Sequence, residues 1–149
     1  MRSIVVFFVA FLFTISGVIA QKEYNTKKGV AINGYDVVSY FDGNAKKGVD
    51  TFAADYEGTT FLFSSKENLN KFRSNPQNFV PQYGGYCAYA VAVKGKKVSV
   101  NPETYEVKDG KLFLFYNRGN TNTLELWNNE NPEDLKKQAD ANWQKIGKK

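Results

Sequence analysis

Hydrophobic and polar residues change rhythm several times along this chain of 149 residues, and each change predicts an element. "AINGYDVVSYFDG" (31–43) mixes apolar and polar positions and closes on the turn pair Asp42-Gly43. "TFAADYEGTTFLFSS" (51–65) reads as two short strands around Glu57-Gly58, the second running from Thr60 to Phe63. A helix is expected from Ser64 or Ser65, whose hydroxyl can accept from the free amides of its first turn, with Leu69 and Phe72 on the buried side. It must end before Asn75-Pro76, because proline disfavours a helical residue ahead of it.

"AYAVAV" (88–93) reads as a strand that turns at Lys94-Gly95-Lys96 into "KVSV" (97–100). "YEV" and "KLFLFY" flank Lys108-Asp109-Gly110, and Asp-Gly favours a tight hairpin turn. Leu112 to Tyr116 is apolar on both faces, which predicts a place in the middle of the sheet. Two helices follow. Asn122 to Glu125 fits a capping box ahead of Leu126 and Trp127. Asn131-Pro132-Glu133-Asp134 supplies a cap, a first-turn proline and acids at the positive end of the second helix. Leu135, Ala139, Trp143 and Ile146 then form one apolar stripe, ended by Gly147. The expected fold is α+β, with a small, mostly antiparallel sheet packed with about three helices in a single domain over 31–147.

The first twenty residues follow another pattern. Arg2 precedes an apolar run from Ile4 to Phe13; Thr14, Ser16 and Gly17 interrupt it, and Val18-Ile19-Ala20 offers a cleavage site before Gln21. This is the layout of a secretory signal peptide, so the protein is expected to be secreted or periplasmic, with no transmembrane segment after cleavage. The alternative is an uncleaved anchor, since Ile4 to Ala20 is near the lower limit for a membrane-spanning helix. Residues 21–30 form a polar lead-in to the domain.

The whole chain carries 20 basic and 15 acidic residues; without Arg2 the net charge is +4. Its lysines are scattered in pairs such as Lys46-Lys47 and Lys96-Lys97, which marks a solvated surface. Together with the export signal, this argues against a nucleic-acid partner. The partner is then an unidentified small ligand or another protein.

"NGYDVVSYF" (33–41), "YEGTTFLFSS" (56–65), "NPQNFVPQYGGYCAYAV" (75–91), "DGKLFLFYN" (109–117) and "ADANWQKI" (139–146) resemble the secreted branch of the YHS-domain family. The resemblance implies a small α+β module often associated with metals, found beside copper-transporting ATPases and in some monooxygenase components. There it serves a larger protein rather than acting as an enzyme. Metal-linked members carry cysteines near the first of these segments and around the strand-to-helix junction. Here those regions read Asn33-Gly34-Tyr35 and Phe63-Ser64-Ser65-Lys66-Glu67-Asn68, and the chain has no histidine. No cofactor is therefore assigned; metal association rests on the resemblance alone.

The one cysteine, Cys87, offers a single sulfur where tetrahedral zinc needs about four nitrogen or sulfur ligands. A nucleophilic thiol would need a depressed pKa, without histidine to provide it. Burial as a small apolar residue entering a strand is the third reading. Gly84 and Gly85 suit either a bend with positive φ or backbone amides that cradle an anion. If the chain has a ligand site, its candidates are Cys87, Tyr35, Asp36, Tyr83 and Tyr86, with Gly84 and Gly85. No catalytic residue is assigned. A thiol-dependent redox protein using Cys87, and a partner-binding domain with an inert thiol, stand as alternatives to a binding or accessory module.

Overall fold

A computed structural model describes residues 22–148, so the expected leader and its cleavage site lie outside the described residues. The fold is α+β. Strands β1 (Thr26–Lys27), β2 (Val30–Ala31), β3 (Val49–Tyr56) and β4 (Thr59–Phe63) form one sheet in the order β1-β2-β4-β3. It is antiparallel except where Val30 of β2 meets Thr60 of β4 in parallel. Helix α1 (Lys66–Ser74) packs on this sheet. The chain then runs through two 3₁₀ turns, at Pro76–Asn78 and Gln82–Gly85, into helix α2 (Ala88–Lys94). A hairpin of β5 (Asn101–Lys108) and β6 (Lys111–Phe115) follows, and then the small pair β7 (Asn117–Arg118) and β8 (Thr121–Asn122). Helices α3 (Thr123–Asn129) and α4 (Pro132–Ile146) close the fold. Among the described residues no helix is long and apolar enough to cross a membrane.

Local chemistry sets most of these boundaries. Ser65 caps α1 by accepting from the Asn68 amide at 3.1 Å, leaving Ser64 for another task. Leu69 and Phe72 are buried, and the helix ends at Asn75 ahead of Pro76. Asn122 and Asn131 cap α3 and α4. Asp109-Gly110 turns the hairpin with both residues at positive φ.

The strand expected at 88–93 is a helix, and 97–100 carries no regular structure. Alternating Ala and Val fit either periodicity, and alanine is the best helix former. Tertiary packing decides: α2 lies against α4, where the Asn142 side-chain amide donates to the carbonyls of Val91 and Ala92, both at 2.9 Å. Gly95 ends the helix in the left-handed conformation.

The expected central position of Leu112–Tyr116 is also corrected. Strand β6 pairs with β5 on one edge, and among the described residues its other edge pairs only through a parallel bridge between Leu114 and Cys87. Its burial has another source. Leu112 and Leu114 enter a cluster with Ile32, Val37, Phe61, Phe63 and Phe72, while Phe113 and Phe115 enter a second with Tyr83, Val91, Trp127 and Leu135. The alternating faces of β6 thus join the sheet half to the helical half.

The polar lead-in is built into the body. Tyr24 is buried and donates to Glu57 at 2.5 Å, β1 and β2 fall within residues 21–31, and the Asn25 amide donates to the Gly84 carbonyl at 2.8 Å. No sequence pattern announces this, because the partners lie far along the chain.

Candidate functional site

The candidates divide between the two halves. Tyr35 and Asp36 sit in the first, just after the 3₁₀ turn Ile32–Gly34. Tyr83, Gly84, Gly85, Tyr86 and Cys87 run consecutively into the second.

Asp36 is fully buried, and its carboxylate is fully engaged. One oxygen accepts from the amides of Val38 (2.9 Å) and Ser39 (3.3 Å). The other accepts from the Ser64 amide (2.8 Å), the Ser64 hydroxyl (2.6 Å) and the Asn68 side-chain amide (2.7 Å). Five donors on one buried carboxylate tie the loop at 36–39 to the junction of β4 and α1. Neighbouring Tyr35 is half-buried, lies beneath the Lys47 ammonium at 5.5 Å, and points its hydroxyl at Glu103 (3.5 Å).

Tyr83, Gly84 and Gly85 have φ of 54°, 61° and 82°, three left-handed residues in succession. Tyrosine tolerates this conformation poorly, so the surroundings must hold it. Asn25 does so, its backbone amide bonding the Gly84 carbonyl and its side-chain amide the Gly85 carbonyl at 3.1 Å. Both glycines are also required by space: a Cβ on Gly84 would overlap the Glu23 carbonyl, and one on Gly85 the Ile32 side chain. The bend and close-approach reading of these glycines is the one the geometry carries.

The Tyr83 hydroxyl donates to Asp140 at 2.8 Å, and Asp140 also pairs with Lys136 at 2.7 Å. Burial, and then the Asp140 carboxylate, push the Tyr83 phenol far above its ordinary range, so it stays a donor. The Tyr86 ring packs on Trp143, its centroid 6.2 Å away. Lys97 lies over both rings and pairs with Glu23. Burial and Glu23 raise the Tyr86 phenol as well.

Beside this bend lies an open cleft of about 650 Å³. One wall is a face of α4 (Lys136, Asp140, Trp143, Gln144), another the segment from Gln77 to Gly84, and the third Lys22 to Tyr24. Tyr83 and Gly84 line it; Tyr35, Asp36, Gly85, Tyr86 and Cys87 do not. Sequence reasoning placed Trp143 only in an apolar stripe and missed Asp140 and the lead-in residues, whose roles depend on packing across the whole chain.

Cys87 is buried beneath the bend. Its sulfur is 3.5 Å from the Ala90 amide, which donates to it as the cap of α2, and 3.3 Å from the Thr123 hydroxyl. The Thr123 proton is committed to the Tyr116 carbonyl at 2.8 Å, so the thiol donates to the Thr123 oxygen. Cys87 is therefore a helix cap packed against β6, not a strand residue.

Residues 37–83 match the family model of the YHS domain. That stretch is a YHS domain. No curated protein and no solved structure matches the chain. The match begins one residue after Asp36 and ends at Tyr83, so the YHS segment spans β3, β4 and α1 and stops where the left-handed bend begins.

The residues here do not fit the metal that the cysteines of metal-linked YHS domains imply. The two regions where those members carry thiols are joined here by the hydrogen bonds of Asp36, which leave its carboxylate surrounded by donors. Among the described residues no three of Cys, His, Asp and Glu gather in ligand geometry.

Replacing Cys87 by Ala should lower stability by about 1–2 kcal/mol, through a small cavity and a lost weak cap. Native Cys87 should alkylate with iodoacetamide only at the rate of unfolding. Rapid alkylation with an unchanged melt of Cys87→Ala would show that the sulfur is not held in this way.

Proposed function

We propose that this YHS protein is an exported, non-catalytic binding or accessory module, and that its ligand surface is the cleft beside Tyr83 and Gly84. The single observation carrying this reading is that cleft, of a size suited to small ligands, where the rings of Tyr24, Tyr83 and Trp143 stand among mostly polar and charged side chains. Tyr83 holds a strained backbone at its wall, and such strain concentrates at functional sites. A thiol-dependent redox role finds less support, because Cys87 is buried and its proton is engaged by Thr123.

Native mass spectrometry of the protein from its host tests both parts. The expected chain begins at Gln21 and carries a small molecule that denaturation releases. A membrane-embedded chain retaining Met1 would overturn export; a mature chain isolated bare under gentle conditions would overturn ligand carriage.

A further inference from the structure

We propose that the cleft selects an anionic ligand with a flat apolar body, such as an aromatic carboxylate or sulfonate; this rests on the binding reading above. The apolar part is supplied by Val80, Pro81, Tyr83 and Trp143. Trp143 is only partly covered, so part of its ring remains available to a planar group.

The polar part is one-sided. Four lysines line the cleft (Lys22, Lys111, Lys136 and Lys148) against two carboxylates, Glu23 and Asp140. Both carboxylates are already engaged: Glu23 by Lys97 and Tyr86, Asp140 by Lys136 and Tyr83. Lys111 and Lys148 are exposed and take part in none of the ion pairs formed among the described residues. The free polar capacity is therefore rich in donors and carries positive charge. A neutral polyol could bond the side-chain amides of Gln77, Gln82 and Gln144, but it would leave the charges of Lys111 and Lys148 uncompensated. A cation would meet like charge. An anion gains from Lys111 and Lys148 while its apolar body covers the rings.

The two tryptophans of the chain make this testable in one titration, since Trp143 lines the cleft and Trp127 is buried elsewhere in the second cluster. The folded mature protein, labelled with ¹⁵N, is titrated with 2-naphthalenesulfonate and separately with the neutral 2-naphthalenemethanol. The sulfonate is expected to shift the Trp143 indole signal saturably and leave Trp127 in place, with the neutral compound about tenfold weaker. Lys111→Gln combined with Lys148→Gln should weaken sulfonate binding roughly fivefold and leave the neutral compound unchanged. Added salt should act in the same direction as the double variant.

Equal binding of the two compounds, or a double variant that binds the sulfonate as the wild type does, would overturn the selection for an anion. Shifts centred on Trp127, or no saturable shift with either compound, would overturn the cleft as its site. A small molecule retained in the native mass measurement would in that case leave the binding reading standing with its surface elsewhere, so the two failures are distinguishable.

Discussion

Asp36→Asn is expected to destabilise the protein by about 3 kcal/mol or more, a large part of the ~5–15 kcal/mol that holds a domain together. The carboxylate offers acceptors on both of its oxygens, and five donors point at them. An amide offers an acceptor on one side only. Whichever way it turns, its NH₂ faces at least two donors in a buried space, and each stranded donor costs about 1–3 kcal/mol. Asp36→Ala removes every acceptor and should be at least as harmful. Ser64→Ala should be milder, near 1 kcal/mol, because it deletes one donor and leaves the acceptor served by four others. Urea melts of the three variants give the order directly. Asp36→Asn within 1 kcal/mol of wild type would mean that the junction of β4 and α1 is held by packing alone.

Gly84→Ala should be damaging out of proportion to one methyl group, by roughly 3 kcal/mol or more. Two effects combine: the left-handed φ of 61° strains any L residue, and the new Cβ meets the Glu23 carbonyl, with the Trp143 ring only 3.3 Å away. A backbone carbonyl cannot swing aside as a side chain can, so the lead-in itself must move. Gly85→Ala meets the end of the buried Ile32 side chain and the Pro81 ring at 3.1 Å, and should cost somewhat less. Gly110 provides the control. Its φ is 70° with nothing within 4 Å of a Cβ, so Gly110→Ala adds strain alone, about 1 kcal/mol. Thermal melts rank the three, and limited trypsin digestion at Lys27 and Lys28 reports whether the lead-in has come away. Gly84→Ala no worse than Gly110→Ala would show that the lead-in tolerates displacement.

The legible parts of this chain were those whose cause is local. Ser65, Asn122, Asn131, Pro132 and Asp109-Gly110 act within a few residues, so the cap or turn each one makes could be read directly. "AYAVAV" misleads because alternating Ala and Val suit either period, and the deciding contacts come from α4, where Asn142 reaches the carbonyls of Val91 and Ala92 in α2. Asp36 was legible as a noteworthy residue and not as the centre of its hydrogen-bond network, since Ser64 and Asn68 reach it from 28 and 32 residues away. The cleft was illegible for the same reason: only the fold sets the segment around Tyr24 beside Tyr83 and Trp143.

Strand β6 gives the YHS segment an obligation that its own residues do not reveal. Val37, Val38, Phe61, Phe63 and Phe72 all fall within 37–83, yet Leu112 and Leu114, which complete their cluster, come from well beyond it. A chain cut after residue 95 would keep the whole family-matched stretch and leave that cluster open to water on one side. The same strand turns Phe113 and Phe115 into the other cluster, so loosening one cluster disturbs the packing of the other. The folding unit is thus larger than the matched one: the YHS segment needs the β5–β6 hairpin to close its own cluster.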